Sequence, residues 1–138
     1  MIRGFTCGTF DLFHPGHVLL LEWARTHCDY LLVGLQTNPT HDRPHDKEPP
    51  VQSMFERWIQ LRAHRAVDEI VPYDTERDLE NLLASLDLHV RFLGDDYATA
   101  KTFTGREICQ SRGIQVMYAP RRHSYSSTEL RRRLRLQA

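Results

Sequence analysis

The chain has 138 residues, enough for one compact domain with a real core and too few for two. Lysine plus arginine and aspartate plus glutamate balance at 18 each, which argues against a uniformly basic nucleic-acid surface. Cys7, Cys28 and Cys109 are far apart and odd in number, so neither a disulfide framework nor a zinc ribbon is expected, and no apolar run approaches a membrane span. No charged-then-apolar leader opens the sequence, and the expectation is a cytoplasmic protein.

Residues 2–7 read as a first strand, broken by Gly8-Thr9. From His17 to about His27 the pattern is helical, with Val18, Leu19, Leu20, Leu21, Trp23 and Ala24 forming a wide apolar face. Tyr30–Leu35 is a continuous apolar run, as expected of a strand covered on both sides. Two such strands joined by a helix make a βαβ unit with a right-handed crossover. Residues 36–52 are rich in proline and polar groups and are expected to lack regular structure. This long loop leaves the C-terminal end of the second strand, the edge where open α/β sheets bind ligands.

Met54, Trp58 and Leu61 recur at i, i+4, i+7, predicting a helix over 53–64. Glu69–Tyr73 is a short strand. Thr75-Glu76-Arg77-Asp78 resembles a capping box, and Leu79, Leu82, Leu83 and Leu86 continue it as an amphipathic helix. Val90–Leu93 is a strand, 98–104 a polar loop, 105 to about 111 a helix stopped by Gly113, and 114–118 the last strand. Residues 121–125 form a polar loop before a final arginine-rich helix opened by Ser126 and Ser127. The alternation predicts an α/β fold of Rossmann-like type, a five-stranded parallel sheet with helices on both faces, in one domain covering 1–138.

The chemistry gathers at Gly8-Thr-Phe-Asp-Leu-Phe-His14-Pro-Gly-His17. The two histidines stand where a strand hands over to a helix N-terminus, which favours bound anions. Gly16 lets a phosphate approach the backbone, and two imidazoles can donate to phosphate oxygens as negative charge builds. No cysteine or carboxylate follows in a familiar zinc spacing. Ser126-x-x-Glu129 suits either a helix cap or a phosphate contact. Arg131, Arg132, Arg133 and Arg135 read as a solvated helix end. Lys101 and Arg106 fit an acceptor pocket or the surface equally, and Asp68-Glu69 a solvated face or an interface pair.

This opening stretch resembles the nucleotide-binding start of the cytidylyltransferase-like family of nucleotidyltransferases, most closely its glycerol-3-phosphate cytidylyltransferase branch. Three further landmarks follow in order: Arg65-Ala-Val-Asp-Glu-Ile resembles Arg-Tyr-Val-Asp-Glu-Val, Gly94-Asp95-Asp96-Tyr97 resembles Gly-Asp-Asp-Trp, and 120–128 takes the place of an Arg-Thr-Glu-Gly-Ile-Ser-Thr-Thr segment. The resemblance implies attack of a substrate phosphate on the α-phosphate of a nucleoside triphosphate, with pyrophosphate leaving and no covalent enzyme intermediate. It implies CTP and a small phosphorylated metabolite such as glycerol 3-phosphate as partners, Mg²⁺ with the triphosphate, and a homodimer.

By the same resemblance His14, His17, Lys47 and Arg121 serve catalysis. Gly8, Thr9, Phe10, Gly16, Arg65, Asp95, Asp96, Ser126, Ser127 and Thr128 bind the nucleotide, and Asp11 braces the loop. The stretches 36–52, 98–107 and 120–128 depart from the branch, which opens the choice of acceptor. An adenylyltransferase of the same fold, of heptose-phosphate or flavin-mononucleotide type, is the enzyme alternative, and a non-catalytic nucleotide-binding domain the other.

Overall fold

A computed structural model describes residues 1–94, 97, 102–120 and 123–137. In chain order the elements are β1 (Arg3–Gly8), α1 (Pro15–Thr26), β2 (Tyr30–Gln36), α2 (Met54–Arg62), β3 (Glu69–Tyr73), α3 (Glu76–Ser85), β4 (Val90–Leu93), α4 (Arg106–Arg112), β5 (Gln115–Tyr118) and α5 (Ser127–Gln137). All four strand pairings are parallel, and the sheet runs β3-β2-β1-β4-β5. The chain therefore builds outward from β1 to β3, returns to the other side of β1, and builds outward again. Between β1 and β4 the strand order reverses. At such a switch point the loops leaving the C-terminal strand ends diverge and leave a crevice.

Strand alternation divides the core into two layers. On one face Leu31, Val33 and Leu35 of β2 and Val90 and Phe92 of β4 meet Leu21 and Ala24 of α1 and Leu61 of α2. On the other, Phe5, Leu32 and Tyr73 meet Leu79 and Leu83 of α3 and Cys109 of α4. The three cysteines are free thiols, two of them buried. No helix among the described residues is long and apolar enough to cross a membrane.

Helix starts follow local chemistry. Thr75 and Asp78 close the expected capping box on α3, and Ser53 and Glu56 form another on α2. Several boundaries shift by a residue or two from the sequence reading, and at two helix starts the cap explains the shift. Helix α1 begins at Pro15, two residues early, because His14 caps it. Helix α4 begins after Gly105, which is its cap at φ 85°, and a side chain there would collide with Leu83.

The 36–52 stretch is more ordered than its composition suggests. Residues Pro39–His41 form a 3₁₀ turn capped by Asn38. The turn is fastened to the start of α3: Thr37 and His41 both bond Asp74, Asp42 accepts from the Glu76 N–H, and Arg43 pairs with Glu76. Proline excluded long helices here but not a single turn pinned by side chains.

Candidate active site

The His14-Pro-Gly-His17 sequence folds as a helix cap made of imidazoles. His14 is the N-cap of α1, and its Nδ1 accepts the Gly16 N–H at 3.0 Å. Three residues on, the Nδ1 of His17 accepts the His14 N–H at 3.3 Å. This is the reciprocal geometry of a capping box, with two rings in place of a hydroxyl and a carboxylate. Pro15 suits the first helical position because its missing N–H has no intrahelical partner to lose.

The rings stack with centroids 3.8 Å apart, and Phe10 and Phe13 pack on His17 at 5.1 and 5.5 Å. Because both Nδ1 atoms accept, the neutral rings carry their protons on Nε2. Burial, helped by the neighbouring His14 and opposed by Asp11, holds the His17 pKa down at about 3. His17 is thus a neutral donor at ordinary pH. Gly16 is needed for a further reason: a Cβ there would stand 2.8 Å from the His14 ring and 3.0 Å from the Tyr125 carbonyl.

The turn feeding this cap is strained. Phe10 and Leu12 adopt left-handed φ values of 51° and 54°, uncommon for bulky side chains. Asp11, 4% exposed, holds it. Its carboxylate accepts the Val51 and Gln52 N–H groups at 2.8 and 2.9 Å and pairs with Arg131 at 2.7 Å. The Asp11 carbonyl accepts the Ser127 hydroxyl at 3.0 Å. Asp11 is a brace, as expected.

Arg131 departs from its expected place on a solvated helix end. It faces inward between Asp11 and Glu48 and, with Arg135, lines a cavity. Arg132 and Arg133 do lie on the outer face, paired with Glu129. The Glu129 carboxylate is held at about 2 by those arginines and is not engaged in closing a capping box, although Ser126 Oγ accepts the Glu129 N–H at 3.0 Å.

Three cavities meet at the histidines' end of the sheet. The first, about 490 Å³, is lined by Thr9, Phe10, His17, Lys47, Ser127 and Thr128, with Asp11 and Arg131 behind them. A second of the same size holds His14, Gly16, His17, Lys47, Gly94 and Ser126. The third, about 380 Å³, opens over the C-terminal ends of β1 to β4 and contains Gly8, Thr9, Lys47 and Gly94. Lys47 reaches all three from the 36–52 loop.

Of the expected site residues, Gly8, Thr9, Phe10, His14, Gly16, His17, Lys47, Ser126, Ser127 and Thr128 therefore gather here. Arg65 does not. It precedes β3 at the opposite edge of the sheet, its side chain 84% exposed and paired with Glu22. The adjoining Asp68 takes up Arg25 and the Leu31 N–H there, so that segment fastens the far edge. Asp95, Asp96, Lys101 and Arg121 lie outside the described residues.

Sequence reading passed over Arg57. Only 2% exposed, it donates to the carbonyls of Thr9, Gln36, Thr37 and Gln52, so one guanidinium ties together the three segments that surround the cavities. The available signal was a charged residue on the Met54–Trp58–Leu61 seam.

Comparison with known proteins fits this geometry. The family described as cytidylyltransferase-like matches residues 5–133. The bifunctional protein HldE of Hyphomonas neptunium is 35% identical over 127 residues, 92% of this chain and 26% of that protein. HldE of Acidiphilium cryptum is 39% identical over 132 residues, 96% and 27% of the two chains. The chain thus spans about a quarter of the length of these relatives. Among solved structures, a lipopolysaccharide core biosynthesis protein from Thermoplasma volcanium superposes with a TM-score of 0.71 at 20% identity, covering 89% of this chain and 99% of that one. A putative nicotinate-nucleotide adenylyltransferase from Vibrio parahaemolyticus gives 0.54 at 18% identity, covering 99% and 89%. At such identities these two likenesses establish the nucleotidyltransferase-like α/β fold. With a family match across nearly its full length, the chain belongs to the cytidylyltransferase-like family of nucleotidyltransferases.

Proposed function

We propose that the chain transfers an adenylyl group from ATP to the phosphate of a sugar phosphate of the heptose-phosphate type. The stacked His14–His17 pair at the switch point carries the transfer reading. The acceptor's phosphate oxygen attacks the α-phosphorus, the bond from that phosphorus to the bridging oxygen breaks, and pyrophosphate takes the electron pair. The Nε2–H groups of His14 and His17 donate to oxygens whose charge rises in the transition state. The start of α5, with Ser126, Ser127 and Thr128, suits the leaving pyrophosphate, and Lys47 and Arg131 supply positive charge beside it.

The choice of ATP rests on the HldE relatives, which favour the adenylyl alternative over the cytidylyl reading of the opening motif. A divalent cation fits as a companion of the triphosphate. The described residues hold no cluster of three potential metal ligands, and Mg²⁺ commonly takes phosphate oxygens and water with few protein ligands. The carboxylates lining the first cavity are Asp11, Asp46 and Glu48, of which Asp11 is already engaged by Arg131 and two backbone N–H groups. The cation would neutralise triphosphate charge.

Pyrophosphate release tests the reading. ATP, CTP, GTP and UTP are each paired with sugar 1-phosphates and with glycerol 3-phosphate in the presence of Mg²⁺. ATP with a sugar phosphate is expected to turn over fastest. CTP outrunning ATP restores the cytidylyl reading, whereas nucleotide binding with no turnover for any pair points to a non-catalytic domain.

A further inference from the structure

The third cavity contains a buried charge that pairs with no carboxylate among the described residues. Arg91 is the second residue of β4, a strand otherwise made of Val90, Phe92 and Leu93. Alternation sends Val90 and Phe92 to the α1/α2 core and turns Arg91 to the opposite face, where it is 3% exposed. Its Nη1 donates to the Thr104 carbonyl, and the Phe103 ring lies 5.2 Å from the guanidinium carbon. Its Nε is buried without a partner, and no carboxylate among the described residues forms an ion pair with it.

The contrast with Arg57 is informative, because that equally buried arginine donates to four carbonyls. Arg43 lines the same cavity, and its charge is matched: Nη2 pairs with Glu76 and Nε, which makes no hydrogen bond, lies 3.9 Å from the Asp42 carboxylate. Burying a guanidinium without a counter-ion is costly, and an apolar side chain would fill a strand interior at less cost. A carboxylate or phosphate brought by a ligand would satisfy it.

We propose that Arg91, with Arg43 beside it, makes this cavity an anion subsite that reads a second acidic group on the acceptor, at the end remote from the reacting phosphate. The assignment to the acceptor rests on the transfer reading. The reacting phosphate must lie beside His14 and His17, which line the other two cavities, while the Arg91 cavity joins them through Thr9, Lys47 and Gly94. The acceptor class is thus a sugar phosphate that also carries a carboxylate or a second phosphate.

Three probes sharing one ring test this: glucose 1-phosphate, glucuronic acid 1-phosphate and glucose 1,6-bisphosphate. Each is titrated calorimetrically into the full chain and then offered with ATP in the pyrophosphate assay. At least one acidic probe is expected to bind about tenfold or more tightly than glucose 1-phosphate, and the tighter of the two names the group. Arg91→Met is expected to bring that ratio within about threefold, with Arg91→Lys between. Equal binding of all three probes by the unsubstituted chain, or a ratio that survives in Arg91→Met, overturns the subsite. Arg91→Met should melt at or above the unsubstituted chain, and a midpoint lower by more than about 5 °C would assign Arg91 to the fold instead. A binding preference without pyrophosphate release sinks the transferase reading and leaves the subsite standing; turnover favouring glucose 1-phosphate does the reverse.

Discussion

Two imidazoles stacked 3.8 Å apart and largely out of water cannot both carry a proton cheaply, and here the backbone fixes the Nδ1 side of each ring. The N–H groups of His14 and Gly16 occupy the two Nδ1 atoms, so neutral His17 offers Nε2–H to a ligand. Its folded pKa of about 3 lies below the ordinary 6.5, mainly because of burial. Between those values the unfolded chain binds the extra proton. The stability owed to neutral His17 is therefore complete above about pH 6.5 and is lost as pH falls toward 3. In nitrogen-detected NMR of the ligand-free chain, the His17 ring is expected to stay in the Nε2–H form without titrating from pH 5 to 8. His17→Gln separates chemistry from folding, since a glutamine at the third helical position can still close a capping box. Turnover should fall by about 100-fold or more while the melting temperature moves by only a few degrees. A ring titrating near pH 6.5, or a variant with unaltered turnover, would remove the neutral-donor role.

At the scale of elements, α2 carries more than its apolar seam. Its length and its Met54, Trp58 and Leu61 contacts make it a cover for the sheet, but Arg57 reaches through to loops that surround the cavities. Replacing Arg57 with Met keeps most of the volume and leaves four carbonyls without this donor. A loss of about 3 kcal/mol in urea unfolding is expected, with Arg57→Lys nearly as damaging because a single ammonium lacks the planar fork. A loss below about 1 kcal/mol would mean that water replaces the fork without penalty.

This residue also marks where sequence reading stops. Periodicity located α2, and side-chain chemistry located the start of α3 at Thr75 and Asp78. Both signals lie within a few neighbouring residues. Arg57 was opaque because its partners lie 5 to 48 positions away, and because an arginine ordinarily signals a solvated position. Arg91 was hidden similarly in a four-residue strand. The early start of α1 was missed because histidine is not among the side chains that usually announce a cap.

Across the whole molecule, alternation of strand and helix revealed a parallel sheet, while the strand order depends on pairings that no local pattern records. The site is assembled by that order: the turn after β1, the end of the 36–52 loop and the start of α5 converge on Asp11. Loss of its charge should therefore be felt in all three. In Asp11→Asn one oxygen remains to accept from Val51 or Gln52, the amide NH₂ opposes the other N–H, and Arg131 loses its buried counter-ion. About 2–4 kcal/mol of stability should go with them. The loop offers its own readout, because trypsin can cut after Lys47, whereas Pro44 protects the bond after Arg43. Cleavage at Lys47 under native conditions should be faster in Asp11→Asn by about tenfold or more, as the loop opens without global unfolding. Nucleotide bound against Ser127, Thr128 and Arg131 should slow it again. If stability falls but native-state cleavage at Lys47 keeps its original rate, Asp11 supports the core alone, and the loop is held to the turn after β1 by Arg57 instead.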